Sequence, residues 1–228
     1  ILLLCAVTIT CVVFVLLSVY DPNQNAVGAL ASVCMDVISI LILIILVVSL
    51  TYEREEINKT TRLFLLLMLA TMVALLLDFF TWALDGSLGY GELNFIFILT
   101  SLCMGSVLAG IFVLYLSSYL NDMYRFNRLN YFAKACVLAN FVAFAITLIL
   151  GVTGNAFDLI DGHYVTGELY EYVTLIPVLT LIILTGYIIF HIRIIGLHDV
   201  LAVTGYIATM IIGAFIESVY SIGATYVS

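Results

Sequence analysis

The feature that most constrains this chain is a series of seven apolar runs, each long enough to cross a bilayer as a helix. The runs cover residues 1–20, 27–50, 63–84, 94–119, 131–152, 172–191 and 199–221. A spanning helix needs about 20 apolar residues, and in lipid its backbone polar groups must all bond within the chain. We therefore predict an all-α membrane protein with seven transmembrane helices in a bundle.

The composition supports a membrane protein and excludes one class of partner. Of the residues 64% are hydrophobic and 10% are charged, whereas soluble domains are typically about 45 to 50% apolar. The formal net charge of −8 leaves no basic surface that could neutralise phosphates, so we predict no nucleic-acid partner. The predicted partner is the lipid bilayer.

The basic residues lie in alternate connections between the runs, which predicts the orientation of the chain. Connections 51–62, 120–134 and 191–199 contain all seven of them: Arg54, Lys59, Arg62, Arg125, Arg128, Lys134 and Arg193. Positively charged connections tend to stay in the cytoplasm, so we assign these three to the cytoplasmic side. If the chain starts in the cytoplasm, seven spans would place Ser228 outside. We therefore expect an eighth helix between Ser228 and any later cytoplasmic domain.

The longest polar connection, residues 155–172, separates the fifth and sixth runs. Its centre places Asp161 and Gly162 between two short β-prone arms, which is the preferred chemistry of a two-residue type I′ hairpin turn. The segment is acidic and contains no Lys or Arg. We therefore predict a small extracytoplasmic β-hairpin.

Three carboxylates lie within predicted spans, where ionisable groups are costly and usually face a bundle interior. They are Asp36, Asp78 and Glu217, with Asp85 and Asn94 at the rim of the same half of the bundle. One interpretation is a polar pocket beneath the hairpin, and the alternative is that each carboxylate bonds separately to a nearby backbone group. Asn140 is interpreted as an interhelical hydrogen bond rather than a ligand site.

No sequence motif predicts catalysis, a metal site or a cofactor. The chain contains no H-E-x-x-H, no G-x-S-x-G and no Walker motif, so we predict no catalytic residue in this fragment. All five cysteines lie inside apolar runs and form no C-x-x-C pair, which is typical of small buried side chains.

Two stretches resemble a known family. The first is LLLDFFTWALDGSLGYGELN at residues 75–94. The second is the hairpin, which matches the pattern F-x-x-I-D…Y-x-x-G-x-L-Y with a slightly shorter turn. The matching residues are Phe157, Ile160, Asp161, Tyr164, Gly167, Leu169 and Tyr170. The chain resembles, over about residues 28–225, the amino-terminal multi-helix sensory region of bacterial GGDEF-type diguanylate cyclases and sensor histidine kinases.

The resemblance implies a sensory module in the bacterial plasma membrane, with a homodimer as the full-length form. Residues 1–25 would be a leading transmembrane helix and short outer loop, and 26–228 the module itself, without its output domain. A small extracytoplasmic ligand would bind near the hairpin, with nine candidate residues: Asp36, Asp78, Trp82, Asp85, Asn94, Asp161, Tyr164, Tyr170 and Glu217. Whether the full-length protein is a cyclase or a kinase stays open.

Two other functions remain open on the sequence. A transporter or permease fragment would use the intramembrane carboxylates for proton or cation coupling. A membrane scaffold without a ligand would use the same carboxylates only for packing.

Overall fold

A computed structural model describes residues 26–53, 58–86, 88–125, 128–160, 162–201, 203–205 and 207–208. Its elements in chain order are helices α1 (Ala26–Glu53) and α2 (Lys59–Leu84), a 3-10 turn (Leu88–Tyr90), helices α3 (Gly91–Tyr124) and α4 (Arg128–Val152), strands β1 (Phe157–Ile160) and β2 (His163–Thr166), and helices α5 (Tyr170–Phe190) and α6 (Ile192–Ile195). The predicted first run and the end of the seventh lie outside the described residues.

Four helices in the described part are long and apolar enough to cross a membrane. They cover Lys59–Leu84, Gly91–Tyr124, Tyr131–Val152 and Tyr170–Phe190, and Asp36–Tyr52 of α1 forms a shorter apolar helix. The prediction of an apolar helical bundle with a small hairpin is confirmed. The prediction of seven spans stays a prediction.

Helix α3 is the central element of the bundle, since it contacts α2, α4, α5 and α6. It lies antiparallel to α2, so that Thr60 at the start of α2 meets Ser118 near the end of α3, with 2.8 Å between the two hydroxyl oxygens. Asn58 caps α2, because its side-chain oxygen accepts the Thr61 backbone N–H at 2.8 Å. Helix α3 ends at Arg125, whose left-handed backbone (φ 54°) stops the helix.

Two apolar clusters divide the interior along the bundle axis. The hairpin-end cluster joins Ile98, Ala156, Phe157 and Val173. The basic-end cluster includes Val113, Leu116, Leu120, Leu184, Ile188 and Ile195, and it lies toward the end where α3 finishes and α4 begins. Both sets are almost fully buried, so the bundle core is tightly packed at each end.

The predicted hairpin is confirmed, including its register. Strands β1 and β2 pair antiparallel with Phe157 opposite Thr166 and Ile160 opposite His163, so positions 161 and 162 form a two-residue connection. Gly162 has φ +83°, as a type I′ turn requires of its central residues. Asp161 itself lies outside the described residues.

The base of the hairpin closes on the backbone of Asn155 and Ala156. The Gly167 N–H donates to the Ala156 carbonyl at 2.8 Å, and the Leu169 N–H donates to the Asn155 carbonyl at 3.0 Å. An ideal Cβ placed on Gly167 would lie 2.2 Å from the Asn155 carbonyl oxygen. Because that obstacle is backbone, only glycine fits at this position.

We expect Gly167→Ala to destabilise the hairpin by about 1 to 3 kcal/mol, the usual cost of forcing an extra carbon into a packed site. Thermal unfolding of the purified protein in detergent would measure the loss. Gly105→Ala is the matched control, because an added Cβ there meets nothing within 4 Å and alanine is favoured within a helix. Equal melting temperatures for the two variants would contradict the prediction.

Candidate functional site

The hairpin is held to the rest of the protein by Asp85, which directly follows α2. One carboxylate oxygen of Asp85 accepts the Tyr164 backbone N–H at 2.9 Å, and the other lies 3.2 Å from the His163 Nδ1. A two-stranded sheet leaves polar backbone groups unpaired along its edges. Asp85 satisfies one of these groups with a charged acceptor, which makes a stronger hydrogen bond than a neutral one.

Gly86 completes this attachment through its backbone. Its N–H donates to the Gly162 carbonyl in the hairpin turn at 2.9 Å. Gly86 has φ +76°, and an ideal Cβ on it would lie 2.7 Å from the His163 ring. We call the group formed by Asp85, Gly86, Gly162, His163 and Tyr164 the Asp85 clamp.

The apolar face of the hairpin packs on the start of α3. Phe157 is fully buried, and its ring centroid lies 5.0 Å from that of Phe95 and 5.9 Å from that of Tyr164. Such aromatic pairs add to the free energy gained from burial alone. The hairpin therefore contacts both the α2–α3 connection and α3 itself.

A carboxylate pair joins α1 to α2. The Asp78 side chain is within hydrogen-bonding contact of the Asp36 and Trp82 side chains, and Asp36 is buried with 8% exposure. Trp82 lies one turn beyond Asp78 on the same helix face. The pair therefore connects two neighbouring helices through polar side chains.

Asn94 lies at the hairpin end of α3 and is completely buried, with 0% exposure. Neither polar atom of its side chain has a hydrogen-bond partner in the described part of the chain. Leaving a buried polar group unpaired costs about 1 to 3 kcal/mol. An amide in this state is suited to bind a group that can both donate and accept a hydrogen bond.

Asn94 and the carboxylate pair lie at different depths. Phe80 of α2 stacks on Phe97 of α3, with 5.3 Å between ring centroids, which sets the two antiparallel helices in register. By the helical rise of 1.5 Å per residue, Asn94 is then about 8 Å nearer the hairpin than Asp78. The candidate residues thus form two groups along the bundle axis.

The structure gives positions for seven of the nine candidate residues. Asp36, Asp78 and Trp82 come together, Asp85 and Tyr164 belong to the clamp, and Asn94 is buried beneath the hairpin end. Tyr170 begins α5 and is partly buried. Asp161 and Glu217 lie outside the described residues, so a pocket shared with Glu217 stays a prediction.

His163 is not among the nine candidate residues. Its side chain is about half exposed, and it also contacts Asp85. Seventy-eight positions separate the two residues, and no spacing rule links positions so far apart. The interpretation of Asn140 is confirmed, since its Nδ2 donates to Thr180 Oγ1 on α5 at 3.2 Å.

At the opposite end of the bundle, a second polar contact links α3 to the chain that follows α6. The Tyr124 hydroxyl donates to an Asp199 carboxylate oxygen at 2.6 Å, and His198 Nδ1 lies 3.1 Å from the other oxygen. The hydrogen bonds from Tyr124 and then His198 hold the pKa of Asp199 below its ordinary value, because both favour the charged carboxylate. Helix α3 is therefore attached to other segments by side-chain contacts near both ends.

Replacing Asp85 with Ala should release the hairpin from the α2–α3 connection, because it removes the acceptor of the Tyr164 N–H. We expect that N–H to exchange with deuterium about tenfold faster, as loss of one charge-assisted hydrogen bond implies. Asp158→Ala is the control, since Asp158 is an exposed hairpin carboxylate whose hydrogen bond among the described residues is to the neighbouring Leu159 N–H. Unchanged exchange at Tyr164 in the Asp85 variant would show that the clamp does not hold the hairpin.

In comparisons with known proteins, no family model, no curated protein and no solved structure matches this chain. The resemblance to bacterial sensory regions therefore depends on the sequence motifs quoted above and stays a prediction. The geometry of the hairpin, the clamp and the carboxylate pair is the basis for any functional proposal.

Proposed function

We propose that this chain is a transmembrane signal-sensing module of a bacterial signalling protein, with the hairpin on the extracytoplasmic side. The observation that carries the proposal is the Asp85 clamp. It holds a compact, acidic hairpin against the α2–α3 connection, while Phe157 holds the same hairpin against α3. A ligand that moves the hairpin would therefore move the ends of two helices.

Helix α3 is suited to carry that movement across the bundle. Its 34 residues correspond to a length of about 51 Å at 1.5 Å per residue. Phe95 contacts the hairpin at one end, and Tyr124 contacts Asp199 at the other. A ligand shifts the balance between two bundle packings only by its differential affinity for them, and these two contacts are where the packings would differ.

The chemistry of the hairpin end favours a neutral or cationic ligand with hydrogen-bonding groups. The hairpin segment is acidic and has no Lys or Arg, which disfavours anions. The buried Asn94 amide can both donate and accept hydrogen bonds. The resemblance adds that an output domain, either a diguanylate cyclase or a histidine kinase, would act as a homodimer in the cytoplasm.

A second candidate function, transport, is favoured by the carboxylate pair. Asp36 and Asp78 lie in contact on two described helices, and ionisable residues within spanning helices often mark proton relays. In a sensor the same pair would join α1 to α2 without taking up or releasing protons. The two functions differ in whether protons cross the membrane.

A flux measurement separates these two functions without knowledge of the ligand. The protein is reconstituted into vesicles containing a pH-sensitive dye, and a potassium diffusion potential is applied. For a sensor we expect proton entry no faster than in empty vesicles, and the Asp78→Asn variant should be identical to the unmodified protein. Proton entry that Asp78→Asn abolishes would overturn the sensing proposal and support transport.

The sensing proposal also predicts an effect of the clamp on signalling output. If the chain acts with a diguanylate cyclase or kinase domain, as the resemblance implies, Asp85→Ala should change basal cyclic-dinucleotide synthesis or autophosphorylation several-fold, while Asp158→Ala should not. An output that Asp85→Ala leaves unchanged would contradict the proposal.

A further inference from the structure

One face of helix α4 joins a lysine near the end of the bundle to a stripe of apolar side chains. The face consists of Tyr131, Lys134, Leu138 and Phe141, which follow one another at the three- and four-residue spacing of neighbours on a helix. All four side chains are exposed, with values of 81% for Tyr131, 64% for Leu138 and 68% for Phe141. We call this surface the α4 face. It presents a cation at one end and apolar groups beyond it.

The lysine of the α4 face lies at the edge of the membrane-spanning part of the helix. That part begins at Tyr131, and Lys134 belongs to its first turn. The Lys134 ammonium nitrogen lies 5.7 Å from the centroid of the Tyr131 ring, within the range of a cation–π contact. Since Tyr131 is nearer the start of the helix, the lysine side chain reaches back toward the end of the span. Long basic side chains take this course to place their charge at the membrane surface.

The carboxylates at this end of the bundle do not neutralise Lys134. In the described part of the chain, no Lys or Arg forms an ion pair. Two carboxylates at this end, those of Asp122 and Asp199, accept hydrogen bonds instead from the hydroxyl groups of Thr60 and Tyr124. The positive charge of Lys134 is therefore available to an anion from outside the chain.

The net charges of the three basic connections single out the one that leads into α4. With histidine taken as neutral, connection 120–134 contains three basic residues and one acidic residue, whereas 51–62 contains three of each and 191–199 contains one of each. Of these three connections, only 120–134 has a net positive charge. An anion is therefore attracted most strongly to the start of α4.

We propose that the α4 face binds an anionic phospholipid, with Lys134 bound to the phosphate and the apolar side chains packed along an acyl chain. Charge complementarity accounts for the headgroup, and basic residues beside a membrane attract anionic lipids. The adjoining apolar stripe favours a lipid over a soluble anion, because a phospholipid joins a negative headgroup to a hydrocarbon tail. The Tyr131 hydroxyl can donate a hydrogen bond to the same headgroup. The site is independent of the sensing function proposed above.

Native mass spectrometry of the purified protein tests the site by counting bound lipids. The protein in detergent is titrated with phosphatidylglycerol and, separately, with phosphatidylcholine. We expect tighter binding of phosphatidylglycerol, and Lys134→Gln should weaken binding of the first phosphatidylglycerol about fivefold, the effect of one basic charge at a membrane surface. Lys134→Arg keeps the charge and should bind like the unmodified protein. Equal affinity of the unmodified protein for the two lipids, or unchanged binding by Lys134→Gln, would overturn the proposal.

Two controls separate the α4 face from general charge attraction and from a soluble anion. Lys59→Gln removes an exposed lysine at the same end of the bundle, in a connection without net charge, and should leave the affinity nearly unchanged. Glycerol 3-phosphate has the anionic group without acyl chains and should not displace the lipid. Equal losses for Lys59→Gln and Lys134→Gln, or displacement by glycerol 3-phosphate, would overturn the proposal.

Discussion

The lack of water in a bilayer is the constraint on which the rest of this structure depends, because every backbone polar group in the hydrocarbon region must find its hydrogen bond within the protein. The helices satisfy their backbone groups internally, and most of their threonine hydroxyls bond to the preceding turn. The groups that the helices cannot satisfy alone are shared between them. Asn140 bonds Thr180, and Asp36 contacts Asp78, so the polar residues specify which helices are neighbours.

The hairpin shows how the same constraint is met outside a helix. A two-stranded sheet has unpaired edges, and isolated hairpins are marginally stable in water. Here the α2–α3 connection supplies the Asp85 carboxylate and the Gly86 N–H as hydrogen-bond partners for the hairpin. The apolar side of the hairpin packs on Phe95. These contacts also attach the hairpin to the helices of the bundle.

Helix α3 joins the two ends of the bundle. It packs on the hairpin, and it ends at the contact between Tyr124 and Asp199. The carboxylate pair lies instead between α1 and α2. Sensing through α3 and proton transfer through the carboxylates would therefore use different helix pairs, and a variant in one pair need not disturb the other.

The sequence by itself determined the elements: apolar runs of sufficient length give helices, and an Asp-Gly pair between β-prone arms gives a two-residue hairpin turn, because both depend on local chemistry. It also indicated that Asn140 would bond another helix, since a polar side chain within an apolar run has few alternatives. Only the tertiary structure decided that Asp85 holds His163 and Tyr164, that Asp36 meets Asp78, and that Asn94 is buried with no hydrogen-bond partner among the described residues. Such contacts join residues far apart in the chain, and they follow from the register and packing of whole helices, which no local pattern specifies.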